Sequence, residues 1–167
     1  METVDTYDEL CTRLRSSSPG LIGIEGFCSS GKSRLAEQLA QDLPAKVVHV
    51  DKYCTPRDDP PPYPDGVDLP RLKETLIQLS PGDFSVVESI CLRDVLARCG
   101  VAAKTYVYIK RVGRNGLWYD ELHLEEYENG DGIPGDEQEP HASDLSYHSK
   151  IRPHERADLS FSRVDRE

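Results

Sequence analysis

Gly26-Phe27-Cys28-Ser29-Ser30-Gly31-Lys32-Ser33 fits the phosphate-binding pattern G-x-x-x-x-G-K-[ST]. Its two glycines let the backbone turn tightly and aim successive N–H groups, from Cys28 to Lys32, inward, so that an anionic pyrophosphate can rest in the nest they form. Lys32 would reach the terminal phosphates of a nucleotide, and the Ser33 hydroxyl would complete the coordination of Mg²⁺, a cation that prefers oxygen ligands. Arg34, next in the chain, belongs to the same expected nucleotide-binding set. The flanks agree with the motif. Leu21-Ile22-Gly23-Ile24-Glu25 is a short apolar run of the kind a buried parallel strand needs. Beyond the loop, Leu35, Ala36, Leu39, Ala40 and Leu43 recur at helical spacing until Pro44 ends the pattern.

Working outward, 46–50 and 84–88 read as further strands, ending at Asp51 and Glu88. In open α/β sheets ligands bind beyond the carboxyl ends of the strands, so both carboxylates fall where chemistry is expected. Helices are expected over 6–15, 69–79, 92–99 and 117–127, and further strands over 105–109 and 157–161. This alternation predicts a three-layer α/β domain: a doubly wound, five-stranded parallel sheet with helices on both faces. The 167 residues suffice for one such domain, with 1–19 as a leading helix and linker. The proline-rich run 54–70 reads as a semi-rigid loop, and the acidic run 128–143 as a mobile one.

A net charge of −10 with scattered basic residues argues against a nucleic-acid or anionic-membrane surface. No apolar run approaches membrane-spanning length, and the start, Met-Glu-Thr-Val-Asp, lacks the features of a leader; a cytoplasmic protein is expected. A homodimer is among the assemblies such a chain allows. The five cysteines are odd in number and contain no C-x-x-C pair, so reduced thiols are expected.

Several stretches together resemble the uridine kinase-like small-molecule kinases, a superfamily that includes pantothenate kinase and phosphoribulokinase. These are 22–26 leading into the loop, Asp51-Lys52-Tyr53, Pro64-Asp65-Gly66-Val67-Asp68-Leu69, Val86-Val87-Glu88-Ser89-Ile90, and Arg152-Pro153 followed by Ala157-Asp158. The resemblance implies transfer of the γ-phosphoryl group of ATP, with Mg²⁺, to a hydroxyl of a small molecule. It maps the catalytic base onto Asp51, a carboxylate near the metal onto Glu88, and a segment close to adenine onto Ala157 and Asp158.

The residue types fit that chemistry. Phosphoryl transfer has a loose transition state, so a protein mainly positions groups and neutralises charge. Lys32, the loop amides and a cation on Ser33 and Glu88 would serve the phosphates, while Asp51 would orient the acceptor hydroxyl and take its proton. Lys52, Tyr53, Arg57 and Asp65 follow the base and could grip the acceptor. Arg111 and Arg114, after the fourth strand, could supply transition-state charge. A GTPase-type switch is disfavoured, because no [NT]-K-x-D run occurs. A non-catalytic nucleotide-binding module and an antibiotic- or natural-product-modifying phosphotransferase stand as alternatives.

Overall fold

All six strands of the sheet run parallel, in the order β1-β6-β5-β2-β4-β3. They are β1 (Glu2–Val4), β2 (Leu21–Glu25), β3 (Lys46–His49), β4 (Ser85–Glu88), β5 (Thr105–Val112) and β6 (Leu159–Val164) in a computed structural model that describes residues 1–130 and 138–164. The helices are α1 (Tyr7–Ser16), α2 (Lys32–Asp42), α3 (Leu69–Ile77), α4 (Leu92–Cys99), α5 (Glu121–Asn129), α6 (His141–Ile151) and the single turn α7 (Pro153–Arg156). The expected doubly wound α/β architecture is present, with six strands in place of five. The additional strand, β1, pairs Glu2 with Leu159 and Val4 with Phe161 at the sheet edge. Three residues carry too little alternation to announce a strand, and only its partner β6 defines it.

Alternation along the strands divides the core. Val86 faces a cluster with Leu10, Leu14, Ile24, Leu35, Leu39 and Val107, beneath α1 and α2. Its neighbour Val87 faces the opposite side, with Leu72, Leu76, Leu92 and Leu96 of α3 and α4. Local signals set several helix ends. Thr6 Oγ1 accepts the Glu9 N–H at 3.2 Å, Asp68 Oδ1 accepts the Arg71 N–H at 3.1 Å, and Gly100, at φ +69°, closes α4.

Three expectations need correction. The helix expected over 117–127 begins only at Glu121, because β5 runs on to Val112 and the chain folds back against it. The Gly113 N–H donates to the Leu117 carbonyl, the Tyr119 N–H donates to the Arg111 carbonyl, and Gly116 turns at φ +78°. The loop expected over 128–143 ends in helix on both sides: Glu128 and Asn129 belong to α5, and 141–143 open α6; 131–137 lie outside the described residues. Finally, α6 was not anticipated. Its buried face is Asp144, Leu145, Tyr147 and His148, so it offers no aliphatic periodicity to read. Among the described residues, no helix is long and apolar enough to cross a membrane, and all five cysteines are free thiols.

Candidate active site

Residues 26–31 form a tight turn between β2 and α2, with Ser29 at φ 61° and Gly31 at φ 102°, and the Ser30 N–H donates to the Phe27 carbonyl at 3.1 Å. Gly26 is obligatory on steric grounds, since a Cβ there would lie 2.6 Å from the Ile109 carbonyl oxygen and 2.7 Å from Ser30 Oγ. The Ser30 hydroxyl is buried without a hydrogen-bond partner, a polar atom held ready inside the loop. Lys32 is also buried, and its ammonium donates to the carbonyls of Gly26 (3.0 Å) and Phe27 (2.7 Å), closing the ring of the loop.

Helix α6 grips this loop from one side. Asp144 Oδ2 accepts the Cys28 N–H at 2.7 Å, and the Tyr147 hydroxyl donates to Glu25 Oε1 at 2.5 Å. The His148 ring stacks on Phe27 with centroids 3.6 Å apart. Arg93 of α4 donates to the other Glu25 oxygen at 2.9 Å. Burial raises the Glu25 carboxyl pKa, with Arg93 and Tyr147 acting against the shift. Burial, reinforced by Asp144, also pushes the Cys28 thiol up to about 12.

On the other side, the strand-end carboxylates meet the loop. The Ser33 hydroxyl donates to Glu88 Oε1 at 3.0 Å. Glu88 is buried at the end of β4, while Asp51 is exposed on the 3₁₀ turn Val50–Tyr53 that follows β3. The imidazole of His49 bridges Glu88 and Glu37, with Nδ1 2.7 Å from Glu88 Oε1 and Nε2 2.7 Å from Glu37 Oε1 of α2. Burial alone would lower this imidazole, but the hydrogen bonds to Glu88 and Glu37 outweigh it and raise its pKa. One ligand atom from each of His49, Asp51 and Glu88 lies within 4.8 Å of the others, next to the Ser33 hydroxyl. This donor set fits a divalent cation.

A cleft of about 410 Å³ opens over these groups. Of the residues selected from sequence, Cys28, Ser29, Lys32, Ser33, Asp51, Arg57 and Glu88 line it. Its far wall comes from the proline-rich run and α6: Tyr63, whose hydroxyl shares a 2.6 Å hydrogen bond with Ser89, faces the loop alongside Pro60, Pro61 and Glu139. Gly31 and Arg34 instead line a second groove of about 620 Å³ with Tyr7, Gln38, Phe161 and Arg163.

The remaining selected residues lie elsewhere. Asp158 precedes β6, where its carboxylate accepts the Tyr106 N–H at 2.7 Å. Tyr106 is level with Gly23, three residues short of the loop, or about 10 Å along the strand. Asp158 therefore caps the sheet below the site; the end of β6 that reaches the groove is Arg163-Val164. The Tyr53 hydroxyl donates to Thr75 Oγ1 at 2.9 Å and its ring lies under Arg71, so it packs on α3. Asp65 pairs with Arg98 of α4, and Lys52 is exposed outside the cleft lining. Arg111 lies over the Tyr119 ring at 4.8 Å, and Arg114 lines a groove with Trp118 and Tyr119. Sequence reasoning passed over His49, Glu37, Tyr63 and Asp144. Only His49 carried a signal, standing two positions before Asp51 at a strand end.

Loop, strand order and strand-end carboxylates together outline the fold of a phosphate-loop kinase, and one solved structure shares that fold. No family model matches the chain, and neither does any curated protein. Among solved structures, a possible uridine kinase from Bacillus stearothermophilus aligns with TM-score 0.60 and 20% identity, over 92% of this chain and 96% of its own. A gluconokinase from Sinorhizobium meliloti 1021 aligns with TM-score 0.48 and 17% identity, over 89% of this chain and 84% of its own. The chain has the uridine kinase-like fold that its sequence resembles.

Proposed function

We propose that this chain is an ATP-dependent phosphotransferase that moves the γ-phosphoryl group to a hydroxyl of a nucleoside- or metabolite-like small molecule. The observation that carries the reading is the single cleft in which the phosphate loop, Ser33, Glu88 and the exposed Asp51 meet. The loop amides other than those of Cys28 and Ser30, which Asp144 and the Phe27 carbonyl engage, bind the phosphate tail with the Ser30 hydroxyl, and Lys32 turns from its carbonyls to the terminal phosphates. Base and ribose take the groove beside Gly31 and Arg34. Ser33 and Glu88 would hold the cation, which when bound would neutralise charge on the phosphates.

Asp51 orients the acceptor hydroxyl and accepts its proton as the bond to phosphorus forms. Arg57 supplies the cleft with a cation, while Tyr63, Pro60, Pro61 and Ile90 supply apolar walls. That combination suits a compact alcohol with one apolar face. The test is ATP consumption across nucleosides, vitamins and aminoglycoside- or phenicol-like alcohols. Asp51→Asn is expected to lower turnover by about 10²- to 10⁴-fold with ATP affinity nearly intact, and Lys32→Ala to damage both. Full turnover by the Asn variant would remove Asp51 from the role of base. ATP binding without consumption of any acceptor would favour a regulatory module.

A further inference from the structure

We propose that His49 contributes an imidazole nitrogen to the divalent-cation site of this cleft, so that the site selects a first-row transition cation such as Mn²⁺ over Mg²⁺. The inference rests on the reading of the cleft as a cation-dependent phosphotransfer site, and adds to it the chemical class of the cation. A site built only from Ser33, Glu88 and Asp51 would be all oxygen, the donor type that suits Mg²⁺. His49 changes that set. Its Nδ1 is 2.7 Å from Glu88 Oε1, the same oxygen that accepts the Ser33 hydroxyl at 3.0 Å. Two donors on one cation, each at about 2.1 Å and at right angles, lie about 3.0 Å apart, so nitrogen and oxygen need to part by only a few tenths of an ångström. Asp51 lies within 4.8 Å and is exposed, free to swing inward or to bind through a water.

The second observation is on the far side of the ring. Nε2 is 2.7 Å from Glu37 Oε1, which reproduces the outer carboxylate that orients metal-bound histidines and fixes their tautomer. With the Nε2–H donated to Glu37, the Nδ1 lone pair faces Glu88 Oε1, a contact between two acceptors that a cation bound to both atoms would relieve. Charge argues the same way. Glu37, Glu88 and Asp51 converge around a single imidazole, and the nearest buried ammonium, Lys32, is engaged by the carbonyls of Gly26 and Phe27. A divalent cation offsets that excess, and an imidazole ligand shifts its choice from hard cations towards transition metals. The competing account makes His49 an imidazolium fixed between two carboxylates, a purely structural pair.

Mn²⁺ alone, without nucleotide, separates the two. Electron spin echo spectroscopy of the full chain with bound Mn²⁺ is expected to show coupling to a histidine nitrogen, and the coupling is expected to vanish in His49→Gln. Mn²⁺ is expected to bind at least about tenfold more tightly than competing Mg²⁺, and His49→Gln to remove about tenfold of that preference. Glu37→Gln, at an exposed helix position, keeps the nitrogen coupling but weakens Mn²⁺, which secures the test should His49→Gln fold poorly. Absence of saturable Mn²⁺ binding, absence of nitrogen coupling, or equal preference in both variants and wild type would overturn the proposal. Phosphotransfer with Mg²⁺ as the sole cation could persist in any of those cases. Conversely, nitrogen coupling in a protein that never consumes ATP would refute the function and leave the ligand standing.

Discussion

Replacing Asp144 by alanine tests whether α6 holds the phosphate loop in shape. Asp144 is almost fully buried, and its Oδ2 accepts the Cys28 N–H at 2.7 Å, a charge-assisted bond across 116 positions of sequence. Its other oxygen is less well served. Oδ1 lies 3.1 Å from His148 Nδ1, but that nitrogen is hydrogen-bonded to the Asp144 carbonyl at 2.8 Å, which leaves Oδ1 without a hydrogen bond. The hydrogen bond to Cys28 thus carries most of the stabilisation. Losing a bond to a charged group and leaving a buried N–H unsatisfied costs about 3 kcal/mol in total. In a chain of this size each kcal/mol moves Tm by about 2–4 °C, so Asp144→Ala is expected to melt about 6–12 °C lower. Asp144→Asn keeps shape and one acceptor oxygen while avoiding the desolvation of a carboxylate, so about half that loss is expected. Thermal denaturation gives the total, and amide exchange at Cys28 gives the local part: protected in wild type, partly in Asp144→Asn, open in Asp144→Ala. An alanine variant within about 1 kcal/mol of wild type, with the Cys28 amide still protected, would refute the grip of α6 on the loop.

The Cys28 thiol, raised from 9.0 to about 12, holds a thiolate about 1,000-fold rarer than an ordinary thiol does, so alkylation by iodoacetamide at pH 8 is expected to be slow in the folded protein and rapid after denaturation. Fast labelling in the native state would contradict it. Burial, aided by the nearby His148, lowers His154 from 6.5 to about 4, so folding favours its neutral ring; the stability this supplies is complete above pH 6.5 and is lost as pH falls towards 4, with an upper bound of about 3 kcal/mol. A His154→Phe variant, compared with wild type in denaturant titrations between pH 7 and 4.5, is expected to show a shallower decline; identical slopes would exclude His154 as a source.

What could be read from the sequence was whatever repeats at short range. The loop announces itself within eight positions, and α4 was expected over 92–99 and found there because Leu92, Val95, Leu96 and Cys99 mark one buried face before Gly100. Asp51 and Glu88 were legible because a strand's end is a place in the fold as well as in the chain. The expectation for Asp158 came from the resemblance, which does not say at which end of a strand the residue falls. The strand was expected to begin at 157, whereas β6 begins at Leu159 and its end, not its start, lines the groove beside Gly31 and Arg34. Lys52, Tyr53 and Asp65 were near Asp51 in sequence, but the 3₁₀ turn and helices α3 and α4 claim their side chains or direct them outside the cleft.

The larger omission, α6, has a physical cause that bears on function. A helix recognised by its aliphatic stripe can cover a sheet, yet it offers no acceptor to a backbone N–H, no hydroxyl to a buried carboxylate and no flat polar ring to an aromatic. Around the loop those are the groups required: Cys28 N–H, Glu25 and Phe27 meet Asp144, Tyr147 and His148 in turn. Burying such residues costs desolvation that Leu or Ile would avoid, and the unpartnered His148 Nε2 and Asp144 Oδ1 indicate that the cost is not fully offset. Selection for stability alone would favour an aliphatic face. Local rules fail most often where a site imposes other demands, and the departure of α6 from helical patterning is therefore itself a reason to regard it as the support of the loop 26–31 rather than as a cover for the sheet.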